Sequence, residues 1–225
     1  MKKISLTAVL LLMMSALLSG CSGTDVVKQY SQSSFQTIIK QYPELAQDHT
    51  KTGHEYDLTY DGETILRISN DYKQSGINDI ILETPLKPFT DAGLKQTNLA
   101  GGYQISGETL KMVTDFGDGD GKQNNIADSL FESVKTNRSV LTYHQKLDHF
   151  GVKLSEGKFE WAKDYQKNDK DIVFVLRAQP LQKMGVDTAH VSGWTFTTVQ
   201  DTDGSNVDVI LKAYNLDKNA QTTKK

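Results

Sequence analysis

The hydrophobic pattern of this chain changes period along its length, and each change marks an element. An apolar stretch covers 8–18, behind Lys2 and Lys3, and gives way to small residues just before Cys21. After a polar interval over 22–34, Phe35, Ile38, Ile39 and Tyr42 recur at helical spacing, with Ser33 or Ser34 available as N-cap and Pro43 near the end. From Glu55 the period becomes two. Strands over 56–60 and 64–68 flank Asp61-Gly62, a pair whose readiness for positive φ favours a tight type I′ hairpin. The same arrangement returns at 103–105 and 109–113 around Ser106-Gly107. Residues 77–82 read as a strand and 85–102 as a loop with a helical turn. A second helical run is expected over 126–149, with Ile126, Leu130 and Val134 on one face and Gly151 as its C-cap. Strands are expected over 159–165, 172–178, 194–199 and 207–214, before a polar tail over 217–225.

Strand runs interrupted by two or three helices predict an α+β fold, with the helices packed on one face of antiparallel sheet. No sharp linker divides the chain, so residues 35–216 read as one domain behind a signal segment (1–20) and a polar tether (21–34). The string Gly-Glu-Thr followed by an apolar residue occurs at 62–65 and again at 107–110, but shared turn chemistry is enough to generate it.

The leading apolar run is shorter than the roughly 20 residues that cross a bilayer core. With its basic start and small-residue end it has the layout of a secretion signal. The residues Leu18-Ser19-Gly20-Cys21 resemble the lipobox of bacterial lipoproteins. That resemblance implies cleavage between Gly20 and Cys21, a diacylglycerol on the Cys21 thiol, and an anchored protein on the extracytoplasmic face of the cell membrane. Cys21 is the only cysteine, so it has no disulfide partner within the chain, and acylation removes a lone thiol from an oxidising compartment. At about 0.8 kcal/mol per buried methylene, two acyl chains hold a protein where one is marginal.

Loss of residues 1–20 removes Lys2 and Lys3, so 25 basic residues become 23 against 28 acidic, a net charge of −5. That balance argues against nucleic acid as a partner, because such binding draws on phosphate neutralisation. It equally disfavours anionic headgroups as a second anchor.

Candidate chemistry is sparse. Asp115, Asp118 and Asp120, followed by Asn124, Asn125 and Asp128, form an oxygen-rich segment of the kind calcium requires, which makes calcium the one candidate cofactor. The EF-hand register fails, since Lys122 and Gln123 fall at positions five and six of a loop begun at Asp118. Asp201, Asp203, Asn206 and Asp208 form a weaker echo around a hairpin turn. Asp115-Phe116-Gly117 spells the metal-binding tripeptide of kinases without the glycine-rich or catalytic loops, and Ser155-x-x-Lys158 with Lys51-Thr52-Gly53 stand in the wrong order for penicillin-interacting serine enzymes. His144 and His149, five apart on the expected helix, would splay. Trp161, Tyr165, Trp194, Phe196 and Tyr214 alternate on expected strands and read as core before they read as a ligand cleft.

The string Phe35-Gln36-Thr37-Ile38-Ile39-Lys40-Gln41-Tyr42-Pro43, close behind the lipobox and ahead of a lysine-rich strand region, resembles the staphylococcal-type tandem lipoproteins. The resemblance implies a non-enzymatic protein engaged in host contact. Three functions follow. The preferred one is a non-catalytic surface lipoprotein that meets another protein or the cell wall. The second is a carrier with an apolar cavity of at least about 300 Å³ under its sheet. The third is an envelope enzyme assembled around Asp115, Asp118 and His144.

Overall fold

A computed structural model describes residues 23–41, 46–48, 55–69, 79–116, 128, 130–131, 134, 140–145, 147–163, 170–201 and 204–216. Helix α1 (Gly23–Gln41) begins well ahead of Phe35, so residues 23–34, expected as a tether, are helical. The buried face explains why the pattern missed them. Ser31 and Ser34 are buried, Ser34 Oγ donates to the Ser31 carbonyl at 3.0 Å, and the Trp161 indole N–H reaches Ser34 Oγ at 2.9 Å. A face built from hydrogen-bonded serines carries no apolar period. Phe35 then packs edge-on against Phe159 and tilted against Trp161, contacts worth about 0.5–1.5 kcal/mol each beyond the area they bury.

The described strands form two antiparallel sheets, so the α+β class holds. The first contains β1 (Ala46–Asp48), β2 (Glu55–Tyr60), β3 (Glu63–Ser69), β4 (Ile80–Pro85), β5 (Tyr103–Ser106) and β6 (Thr109–Thr114), in the order β1-β2-β3-β4-β6-β5. Helix α2 (Lys87–Asp91) links β4 to β5. The second contains β7 (Leu141–His144), β8 (His149–Leu154), β9 (Gly157–Ala162), β10 (Ile172–Arg177), β11 (Thr195–Gln200) and β12 (Asn206–Tyr214), in the order β7-β8-β9-β10-β12-β11. Helix α3 (Ala178–Lys183) links β10 to β11. The two sheets therefore share one strand order, so the described strands form an internal structural repeat.

Detail supports this beyond strand order. Buried Asp79, just before β4, accepts the Phe116 N–H beyond β6 at 2.7 Å, and buried Asp171, just before β10, accepts the Leu216 N–H beyond β12 at 2.8 Å. Gly93 and Gly185, each past its helix and each at positive φ (99° and 93°), meet where the halves cross. Lys95 N–H donates to the Met184 carbonyl at 2.8 Å, and Asp187 N–H donates to the Ala92 carbonyl at 2.7 Å. This reciprocity is that of an approximate twofold axis. A Cβ on Gly93 would stand 2.7 Å from the Gly185 carbonyl oxygen, and one on Gly185 would stand 2.9 Å from that of Gly93. In sequence, Asp79-Ile80, Pro88 and Gly93 align without a gap on Asp171-Ile172, Pro180 and Gly185. One apolar cluster joins the halves, drawing Leu82 and Met112 from the first sheet, Phe174 and Ile210 from the second, Phe35 and Ile38 from α1, and Leu130, Phe131 and Val134.

The helical run expected over 126–149 is overturned in its second part, where β7 and β8 form a hairpin. Val140, Leu141, Thr142 and Tyr143 favour a pleated surface, and Asp148 turns the chain at a φ of 52°. Gly151, expected to cap that helix, lies inside β8, where a Cβ would come within 2.8 Å of Thr142 Oγ1.

Burial, opposed by the Phe116 hydrogen bond and reinforced by Asp115, raises the Asp79 carboxyl to about 7. The folded chain thus keeps this proton to higher pH than the unfolded chain does. The associated stability is complete below about pH 4 and is lost as pH rises towards 7. Asp79→Asn, which retains an acceptor for Phe116, should leave stability unchanged at pH 4 and raise it by on the order of 1 kcal/mol at pH 8 in urea unfolding. An equal effect at both pH values would contradict the assignment.

Candidate functional site: a cleft open in only one half

The halves differ where β3 leaves β4. In the second sheet β9 pairs with β10 down to Gly157 opposite Leu176, and the Arg177 N–H extends the contact to the Glu156 carbonyl at 2.9 Å. In the first sheet the ladder stops at Leu66 opposite Leu82, beside a bulge between Leu58 and Thr59. Four substitutions between the halves account for this. Pro85 stands where Arg177 stands and has no N–H to give. Glu63 stands where Gly157 stands, and a Cβ on Gly157 would lie 2.1 Å from the Val175 carbonyl oxygen, so closure at that point requires glycine. The rings of Tyr60 and Tyr214, 5.1 Å apart, occupy the places of Leu154 and Thr114. On that sealed side Ser155 N–H donates to Thr114 Oγ1 at 3.1 Å and Ser155 Oγ donates to the Val113 carbonyl at 3.0 Å. Two rings between hairpin and strand hold apart what two hydroxyls join.

The result is an open cleft of about 620 Å³. Its walls are Thr64 and Ile65 on β3 and Glu83, Thr84 and Pro85 on β4; Lys212 and Tyr214 reach it from β12 of the other sheet. Exposed Asp61, Glu63 and Glu108 stand at its rim. Glu83 is fixed from outside, with Lys111 Nζ at 3.0 Å and Arg67 Nε at 3.5 Å, and Arg67 also lies 3.4 Å from Asp57. Lys212 Nζ lies 5.3 Å from the centre of the Tyr214 ring. Burial lowers the Lys212 ammonium below its ordinary value, with Glu63 acting in the opposite direction. Burial, then Asp61, raises the Tyr60 phenol; burial, then Glu63 and Tyr60, raises that of Tyr214. Both phenols therefore remain protonated at neutral pH, and the cleft presents an acidic rim over one cation and two rings.

Several sequence-derived candidates lie elsewhere. Gly20, Cys21, Asp118 and Asp120 are outside the described residues. Asp115 is exposed past the end of β6, close enough to Asp79 to raise its carboxyl. Among the described residues no three His, Cys, Asp or Glu side chains are arranged to hold a metal ion, and no helix is long and apolar enough to cross a membrane. Asp201 pairs with Arg177 at 3.6 Å, and Asp208 accepts the Thr198 hydroxyl at 2.7 Å. Trp161 and Tyr214 are buried, Trp194 is half-buried, Phe196 is exposed, and Tyr165 is outside the described residues. The void enclosed between the sheets by Leu82, Tyr103, Met112, Phe174 and Trp194 is about 10 Å³, less than one small ligand needs.

His144 and His149, expected to splay on a helix, stand directly opposite each other across the β7–β8 hairpin. Their Nδ1 atoms lie 3.8 and 3.7 Å from Glu160 Oε2, while Lys158 Nζ approaches Oε1 at 3.1 Å. Burial pushes the Glu160 carboxyl upward, but His149, Lys158 and His144 together bring it below the usual carboxylate value. Gly151 makes room for this cluster, since a Cβ there would lie 3.1 Å from Glu160 Cγ.

Comparisons of the chain with protein-family models, with curated proteins and with solved structures find no match. The cleft residues carry no motif. Only alignment of the two halves, through Pro85 against Arg177 and Glu63 against Gly157, would have drawn attention to them.

Proposed function

We propose that this is a lipoprotein, anchored through a diacylglycerol on Cys21 at the extracytoplasmic face of the membrane, whose role is to bind a ligand in the cleft between β3 and β4. The observation that carries the binding role is the asymmetry of the duplication. One half closes this place with a glycine contact and a hydroxyl pair, and the other holds it open with Pro85, Glu63 and two tyrosines. Binding is preferred to catalysis because Glu83 is held by Lys111 and Arg67 and both phenols keep their protons. An internal apolar cargo is not favoured, given that the void among Leu82, Tyr103, Met112, Phe174 and Trp194 is about 10 Å³. The anchor rests on Leu18-Ser19-Gly20-Cys21 and on the absence of any second cysteine from the chain.

Two measurements test the two parts. Cys21→Ala should move the protein from the membrane fraction to the medium or remain unprocessed, with no acylated N-terminus by mass spectrometry; an unchanged membrane-bound mature form would contradict the anchor. For the cleft, amide shifts of the isotope-labelled mature chain titrated with amino sugars, free amino acids and dipeptides should cluster on Thr64, Thr84, Thr109 and Lys212. Shifts confined to the sealed side at Ser155 and Thr114, or absent for every solute, would contradict it.

A further inference from the structure

Resting on the cleft as the binding site, we propose that its ligand is an extended peptide segment bearing lysine or arginine, which adds as a strand beside the end of β4. The second half of the chain supplies the template. There the last residues of β10 are covered by Gly157 and Lys158 of β9, in register with Leu176 and Val175. In the first half β3 joins β4 only from Leu66 onward, and the corresponding stretch of β4, from Glu83 to Pro85, borders the cleft instead of a strand. A chain entering this gap would take the place that β9 takes in the other sheet, and strand addition of this kind draws its affinity from main-chain hydrogen bonds. Pro85 fits this arrangement, because proline is tolerated at a strand end beside an incomplete ladder and prevents β3 from closing it.

The surroundings select the side chains. Asp61, Glu63 and Glu108 lie at the rim, so a basic residue alternating out of the added strand meets carboxylates, and the half-buried Tyr60 ring offers it a cation–π contact of about 0.5–2 kcal/mol. Glu83, already bound to Lys111 and Arg67, adds little to that attraction. Lys212, half-buried behind them, offers its ammonium to a peptide carbonyl. The volume of about 620 Å³ falls within the range of specific ligand sites, roughly 300–1,000 Å³. A lone small cation would satisfy the rim but leave the edge of β4 uncovered.

The test uses a labelled, acetylated and amidated octapeptide of alternating lysine and valine, titrated into the mature chain by fluorescence anisotropy. Saturable binding is expected, weakened tenfold or more by N-methylation of alternate peptide residues and by Glu63→Lys combined with Glu108→Lys, two exposed positions whose exchange should leave the circular dichroism spectrum unchanged. A glutamate–valine octapeptide should not bind. Binding indifferent to N-methylation, or no binding of the lysine peptide while small solutes still shift the cleft resonances, overturns strand addition and leaves the cleft as a binding site. Silence at the cleft towards peptide and small solutes alike overturns both.

Discussion

The architecture depends on the backbone crossing at Gly93 and Gly185. Two chain segments pass there so closely that neither position has room for a Cβ, and both need a positive φ that glycine alone adopts without strain. The reciprocal hydrogen bonds from Lys95 and Asp187 fix the register of one half against the other. Because each glycine follows directly on the helix leaving the central strand of its sheet, this one contact sets where both sheets lie. It brings the end of β12 to the β2–β3 hairpin and the end of β6 to the β8–β9 hairpin. Everything that distinguishes the molecule then comes from what stands at those two places.

A duplicated fold doubles each feature, and divergence shows which copy carries a separate use. The buried aspartates have kept a common task, joining the start of a central strand to the end of its neighbour. The outer faces have diverged. The first sheet places Arg67 between Asp57 and Glu83, and the second places Glu160 under two histidines and a lysine. The sharpest divergence lies at the hairpins. A bulky aromatic pair and a proline in one copy, against a glycine and two hydroxyls in the other, separate two strands that the topology would otherwise zip together. Opening costs ladder hydrogen bonds, each worth about 0.5–1.5 kcal/mol net. A ligand strand would restore those that do not need an N–H from Pro85.

Much of the sheet structure was legible in the sequence, because half-buried strands alternate and Asp61-Gly62 announces its turn. What failed did so for identifiable reasons. The first helix hides about three turns behind buried serines, whose partner Trp161 lies far away along the chain. The β7–β8 hairpin reads as helix in the sequence because its apolar residues fall on both spacings, and a helix there would separate two histidines that face each other. The Gly-Glu-Thr strings mark turns within the first half and are no repeat, whereas the signature of the repeated topology is Asp-Ile, proline and glycine at fixed intervals around the central strands. Without the second copy as reference, Pro85 and Glu63 are unremarkable loop-side residues, so the cleft was not legible at all.

The claim that one hairpin is sealed by contact and its counterpart stands open is tested most directly by comparing Gly157→Ala with Glu63→Ala in urea unfolding. The sealed side should lose on the order of 3 kcal/mol, since a Cβ at Gly157 would press on the Val175 carbonyl oxygen from 2.1 Å, while the open side should change by less than about 0.5 kcal/mol. Equal and small losses at the two positions would mean that the halves do not differ in the way described.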